Sequence, residues 1–525
     1  MKRILSILFL LPGLISCALG QDPKRTAYAD LITKETSFQH LSKLASTEFQ
    51  GRGTGQIGGK MAADYIAEHF KSYGLKAPVA GSFFQPLALE KTSFQVSKFE
   101  LAGKTFSNGK DFYIQGAGKG AVNASEIIFI GYGISDAKFN ELEQQDITGK
   151  VVLVLNEGEP QSADGNYILT GTKEASNYVK NRNYRLQQLM AKKPALILAA
   201  STQVPLLLTR MSDRITAGRY GLASKGATPA VANVTTPVAN ISPAMADLIL
   251  AKGKTSIQKF TAAVTKTGKP QSGTIKTKLS TEFGEVKEAL HDPNVLGLLE
   301  GTDLKDEVVV ISGHYDHDGI NSKGEIFFGA DDNGSGTTAV LELARSFAEA
   351  KKAGKGPRRS ILFIAFAAEE KGLLGSQYYA ENPIFPLANT VTCLNVDMIG
   401  RIDNKHLTGN HNYIHVIGSD KLSSELYEIN RQANADYTHM ELDYMYDDPK
   451  DNMRIYYRSD QYNFAKHGIP VTFYFSGLHP HYHTTEDTVD KINFEMMVKR
   501  EKLVFHVAWE VANRDKKLVV DSNKQ

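Results

Sequence analysis

The chain has 525 residues, too many for one compact core, so two domains are its natural organisation. Its 42% hydrophobic and 22% charged residues are those of an ordinary soluble globular protein. A formal net charge of +2 gives no electrostatic reason to expect nucleic acid as a partner, and the basic pairs Lys351-Lys352 and Arg358-Arg359 read as solvated helix ends.

The first twenty residues predict export. Lys2 and Arg3 precede a mostly apolar stretch, Ile4 to Ile15, followed by small residues, the pattern of a signal peptide. Two endings fit: cleavage after Ala18-Leu19-Gly20, or a lipobox, Leu14-Ile15-Ser16-Cys17, that would leave Cys17 lipid-anchored. The destinations implied are the periplasm, the outer membrane or the exterior. No later stretch approaches the ~18 apolar residues of a membrane span. Cys393 is the only cysteine besides Cys17, and it sits in an apolar run as a small buried side chain.

From about Thr36 to Pro78 the sequence reads as helix, glycine-rich loop (Gly51 to Gly55) and helix, the second carrying Ala62, Ala63, Ile66, Ala67 and Phe70 before Gly74 stops it. Residues 21–93 are thus the opening of the main domain. Residues 94–276 alternate short β-rich runs with turn residues and predict an inserted, mainly β module. Residues 277–525 alternate strands and helices. Four apolar runs there, at Val308–Ile311, Ile361–Phe366, Val391–Val396 and Val471–Phe475, lack polar alternation and predict strands covered on both faces. The fold class is α/β, with a mostly parallel sheet sandwiched by helices.

Each run leads into metal-competent side chains: Gly313-His314-Tyr315-Asp316-His317, Ala368-Glu369-Glu370, Asn395-Val396-Asp397 and His479-Pro480-His481-Tyr482-His483. An acidic cluster, Asp331-Asp332-Asn333-Gly334, precedes the Thr337–Ala348 helical stripe. In such sheets ligands bind beyond the carboxyl ends of the strands. Imidazole and carboxylate without thiolate suit zinc, with manganese or cobalt as substitutes. Five ligands exceed one tetrahedral ion but suit two that share a carboxylate, and a bridging hydroxide would bring the cluster to about neutral. Glu369 and Glu370 are adjacent and should diverge, one ligating and one serving as a general base. If His314-Tyr315-Asp316 is extended, the Asp316 carboxylate can hold the His314 N–H.

GHYDHDG, GADDNGSG, AAEEKGLLGS, NVDMIG and HYHTTEDT, in this order, resemble the dizinc exopeptidase family of co-catalytic zinc aminopeptidases, glutamate carboxypeptidase-like enzymes and glutaminyl cyclases. The opening LASTEFQGRGTGQIGGKMAADYIAEHF resembles the same family, and ITGKVVLVLNEG resembles a protease-associated domain. The resemblance implies two Zn2+ ions bridged by Asp332, with His314 and Asp397 completing one position and Glu370 and His483 the other. It also implies Glu369 as general base, Asp316 as the partner of His314, Tyr482 as oxyanion donor, and a cis peptide after Asp332. Arg458 is a weaker candidate for arranging the substrate's terminus. His317, His479 and His481 read as rim or loop residues, Asp331 as helix-entry chemistry, His411 and His415 as structural, and Tyr456-Tyr457 as packing.

The leading expectation is an aminopeptidase acting on peptides by a two-metal-activated hydroxide. A carboxypeptidase would need a cationic cluster for the substrate carboxylate, and a cyclase of this fold typically uses one zinc. A non-catalytic receptor-like protein would lose ligands or the base, and all six positions here hold suitable residues.

Overall fold

A computed structural model describes residues 23–115, 119–143, 145–216, 218–223 and 236–523. The leader and Cys17 lie outside the described residues. The chain divides into two compact units, one comprising residues through Leu87 together with Asp292 onward, the other Ala88–His291.

In the first unit the four apolar runs are the four central strands. Val471–Phe475, Thr390–Val396, Leu304–His314 and Arg359–Phe366 lie side by side in that order and parallel. An antiparallel strand flanks each side, Tyr413–Ile417 against Val471–Phe475 and Val295–Leu299 against Arg359–Phe366, and Glu441–Asp443 pairs parallel to Tyr413–Ile417 beyond it. The sheet is therefore mixed and mostly parallel, as predicted. Every residue of Arg359–Phe366 and Thr390–Val396 is buried, because alternate side chains face different helices. Leu362, Ile364 and Phe366 pack with Tyr379 and Phe464. Phe363 instead meets Phe347, on the helix Gly336–Lys352, and Phe347 meets Phe505, on the helix Phe494–Asn513.

The opening helices form as the sequence indicates. Lys34–Leu44 begins with a capping box at Thr33. Ile57–Tyr73 buries Ala62, Ala63, Ile66, Ala67 and Phe70 and ends at Gly74, whose φ of 86° only glycine adopts cheaply. Among the described residues no helix is long and apolar enough to cross a membrane.

The second unit adds helices that the expectation of a mainly β module did not include. Gly120–Phe129, Val151–Leu155, Leu196–Ala200 and Val238–Ile241 pair in parallel, in that order. Helices lie between and after them, among them Arg182–Met190, Gln203–Thr216, Pro243–Lys252 and Ile257–Thr267. The physical reason is in the runs themselves. Val151–Leu155 and Leu196–Ala200 are buried throughout, with Val151, Leu153 and Leu155 in one apolar cluster and Val152 and Val154 in another. Strands covered on both faces need helices, and the first of these, Arg182–Met190, is polar enough to read as a turn segment. The expected limits at 94 and 276 fall inside two long extended segments, Phe84–Leu101 and Gly273–Leu299, so composition did not mark where the units part.

Candidate metal centre

Parallel strands put their carboxyl ends at one edge, and the register sets the side chains there level. Ser312 pairs with Asn395 and His314 with Phe366, so Asp397 lies beside His314 and Glu369 follows three residues beyond Phe366. The bridging candidate comes from a different element. Asp332 sits in the buried turn before the helix Gly336–Lys352, and its bond to Asn333 is cis.

His314 Nε2 lies 3.5 Å from Asp397 Oδ1, 3.6 Å from Asp332 Oδ1 and 3.8 Å from Glu369 Oε2. Its Nδ1–H donates to the main-chain carbonyl of Asp316 at 3.0 Å, leaving the Nε2 lone pair for the cluster. This corrects the expected contact. The strand ends at His314, the chain turns, and the Asp316 carboxylate stands 3.8 Å from Nδ1. That carboxylate instead accepts the N–H of Glu369 at 2.9 Å and the hydroxyl of Thr54 at 2.9 Å. Asp316 thus holds the backbone of the Glu369-Glu370 pair rather than the imidazole.

The two glutamates diverge. Glu369 faces His314, while Glu370 Oε2 lies 3.2 Å from His483 Nε2, which is 3.1 Å from Asp332 Oδ2. His483 Nδ1–H donates to Asp318 Oδ2 at 2.7 Å. His317 is no rim residue: it is fully buried, and its Nδ1 donates to Glu370 Oε1 at 2.8 Å. Three consecutive residues, Asp316, His317 and Asp318, therefore each brace a different part of the cluster.

The donor set fits a pair of divalent cations. Ligand atoms on one tetrahedral zinc at about 2.0–2.1 Å sit roughly 3.3–3.5 Å apart. The separations of 3.5 and 3.6 Å around His314, and 3.1 and 3.2 Å around His483, are of that size. Asp397 is oriented by the Ser459 hydroxyl, which donates to Oδ2 at 2.6 Å, and its buried Oδ1 has no hydrogen-bond partner among the described residues. Electrostatics agree. Burial, together with Glu370, Asp397 and Asp460, pushes the Glu369 carboxyl well above its usual range, against the opposing pull of His314. Burial opposes ionisation of Glu370 too, but His483 and the N–H of His317 outweigh it and hold Glu370 well below its usual range. Burial lowers His314, yet the surrounding carboxylates raise it well above 6.5. So much buried negative charge attracts cations.

One resident cation is Arg52, in the glycine-rich opening loop. It is fully buried and donates to the carbonyls of Leu44, Tyr315, Phe328 and Gly329. Burial pulls its pKa down to about 10, although Asp487, Asp332, Asp316 and Glu370 favour its charge.

Residues 294–508 match the description "Peptidase family M28". The aminopeptidase YwaD of Bacillus subtilis is 29% identical over 227 residues, covering 43% of this chain and 46% of that protein. A probable leucine aminopeptidase of Arthroderma benhamiae is 28% identical over 233 residues, covering 43% and 60%. The chain thus spans about half the length of the curated relatives it matches. An aminopeptidase from Aneurinibacillus sp. strain AM-1 shares the fold, with a TM-score of 0.54 and 17% identity over 95% of this chain and 98% of that one. The zinc aminopeptidase BSAP of Bacillus subtilis does so with a TM-score of 0.51 and 18% identity over 93% and 98%. Residues 294–508 belong to peptidase family M28.

Within the M28 domain the cluster rests on a further buried set that the sequence did not mark. Asp487 accepts the N–H groups of Asp331 and Asp332 at 3.0 Å, which fixes the backbone of the bridging residue. Asp331 Oδ1 accepts the N–H of Gly400 at 2.6 Å and so ties the turn to the segment after Asp397. Burial pushes the carboxyl of Asp460 up to about 7 beside this set. Tyr482 is half-buried, and Arg458, exposed at the edge of the M28 domain's cluster, donates to its hydroxyl at 3.1 Å. His481 and His479 split: His481 accepts from Arg401 at 3.0 Å near the surface, while His479 is buried 3.4 Å from Asp331.

A second histidine–aspartate group, Asp403, His406 and His415, is structural. Asp403 Oδ1 already accepts the N–H of Lys405, the N–H of His406 and His406 Nδ1–H. His415 Nε2–H takes the other oxygen at 2.9 Å, so both carboxylate oxygens of Asp403 are already engaged by histidines of the group itself. His411 is exposed, and His415 lies within the strand Tyr413–Ile417.

Proposed function

We propose that this protein is an exported, zinc-dependent aminopeptidase that hydrolyses the N-terminal residue from peptides. The observation that carries the proposal is the sharing of Asp332 between two ligand groups, His314 with Asp397 and Glu370 with His483, while Glu369 faces the same space. The names of the relatives support the same class. The apolar leader from Ile4 to Ile15 supports export, with signal cleavage and lipidation at Cys17 as its two endings. The Ala88–His291 unit is read as a protease-associated domain.

Two Zn2+ ions held there would acidify a water, polarise the scissile carbonyl and return Glu369 to its ionised form. Glu369 takes a proton from the attacking water and delivers it to the leaving amine, and its position opposite Glu370 frees it from ligation. Burial, with Asp332 next in effect, raises the Tyr482 phenol. It therefore stays protonated at neutral pH and can donate to the carbonyl oxygen as negative charge develops there. Arg458, bonded to Tyr482, orients that donor and lies where it can also meet the substrate's terminus.

The test uses the purified protein on one peptide with a free N-terminus and on the same peptide acetylated, with chelator, zinc restoration and Glu369→Gln. Zinc-restored cleavage of the free peptide alone, with Glu369→Gln reduced at least about 10²-fold, is the expected result. Release of C-terminal residues from both peptides would move the assignment to a carboxypeptidase.

A further inference from the structure

The sequence expectation placed a carboxylate behind His314, and the structure puts one behind the other imidazole. His483 Nδ1–H points at Asp318 Oδ2 at 2.7 Å, whereas His314 Nδ1–H donates to a main-chain carbonyl at 3.0 Å and the Asp316 carboxylate stands off at 3.8 Å. Asp318 is itself held. Lys371 Nζ lies 3.5 Å from its second oxygen, and Lys371 directly follows Glu370. The next residue, Gly319, has φ of 75° and presses against the opening loop: a Cβ there would lie 2.3 Å from Gln56 Oε1 and 2.7 Å from the Cα of Gly53. The main chain at Asp318 is thus fixed from both sides, and its side chain reaches His483 across 165 residues of sequence.

We propose that Asp318 is the positioning residue for His483, its carboxylate accepting the Nδ1–H so that Nε2 is committed to the position shared with Asp332 and Glu370. This rests on the two-zinc reading above. A carboxylate behind a ligating imidazole fixes the tautomer and ring orientation and makes the ligand a stronger donor, and loss of such a partner typically weakens metal binding 10–100-fold. The effect is confined to one of the two positions, because His314 has a separate acceptor and Asp397 is held by Ser459.

The decisive measurement is zinc binding to the full-length metal-free protein, by competition with a chromophoric chelator, for wild type, Asp318→Asn and Asp318→Ala. Thermal unfolding of each metal-free variant and Co2+ absorption spectra accompany it. Asp318→Asn keeps an oxygen acceptor and loses the charge; Asp318→Ala loses both. The expected outcome is one zinc weakened about 10-fold in Asp318→Asn and up to about 100-fold in Asp318→Ala. The second zinc and the metal-free melting temperatures should be unchanged, with an altered Co2+ band for the weakened position. Two zincs bound at wild-type affinity in both variants would overturn the proposal. So would equal weakening of both zincs together with lower metal-free stability, which would make Asp318 merely structural. Absence of zinc binding by the wild type would instead overturn the two-zinc reading on which the proposal rests.

Discussion

Replacing Arg52 tests whether the centre is held from beneath by one guanidinium. Its four acceptors, the carbonyls of Leu44, Tyr315, Phe328 and Gly329, lie 2.7–2.8 Å away, and two of them immediately follow or closely precede the proposed ligands His314 and Asp332. The residue itself adopts φ of 54°, a backbone conformation kept only where surroundings over-determine it. A lysine offers three donors on a tetrahedral centre and cannot reproduce a planar fork, so at least one buried carbonyl loses its partner, at about 1–3 kcal/mol. Arg52→Met strands three, since the Gly329 carbonyl also accepts the N–H of Gly334, and the loss should reach at least about 3 kcal/mol, a large part of a typical domain's 5–15 kcal/mol. The sole tryptophan, Trp509, stacks on Phe347 in the same unit, so its fluorescence during urea unfolding reports on that unit. The expected order of midpoints is wild type, then Arg52→Lys, then Arg52→Met, at constant slope. An Arg52→Met midpoint equal to wild type would refute the reasoning, because the carbonyls would then be satisfied without the guanidinium.

Two other predictions probe packing and protonation. A Cβ at Gly336 would lie 2.2 Å from the carbonyl of Val396 and 2.3 Å from Asn333 Oδ1. Gly336→Ala should therefore cost about 1–3 kcal/mol and weaken zinc binding by displacing Asp397; full zinc affinity by chelator competition would contradict it. His506 is buried and accepts from Arg25 Nε at 3.0 Å, so burial, with Arg25 and Lys502, lowers its pKa to about 3. The unfolded histidine takes up a proton below about 6.5 while the folded one does not, so stability is full above pH 6.5 and falls as pH drops towards 3. His506→Gln should remove about 2 kcal/mol of the loss between pH 7 and pH 5, read from urea midpoints at the two pH values. An unchanged pH dependence would mean His506 does not carry it.

The sheet was legible because its four central strands are apolar without alternation, a pattern that only two-sided burial produces. The same logic, applied to Val151–Leu155 and Leu196–Ala200, would have given the second unit its helices; polar segments such as Arg182–Met190 concealed them. At the centre, the residues with ligand chemistry stood out by type and by their place after strands. Their supports did not, for two reasons. Asp316 depends on where the strand stops, and an extended reading through His314 aimed its carboxylate at the wrong group. Apart from the Arg52 contact with Leu44, Arg52, Asp318 and Asp487 act on residues 155 to 277 positions distant, a relation visible only once the chain is folded.

The scatter of the proposed ligands along the chain has a thermodynamic consequence. His314, Asp332, Glu370, Asp397 and His483 come from five separate segments, and no two form the short His- or Cys-spaced pair that lets an unfolded chain chelate. Zinc held by all five would therefore favour the native side of the equilibrium, less whatever the unfolded His479-Pro480-His481-Tyr482-His483 run binds. The apoprotein must complete its parallel sheet unaided. Zinc bound at the proposed centre would act as a lock whose strength grows with free zinc, and denaturation midpoints should rise logarithmically with its concentration.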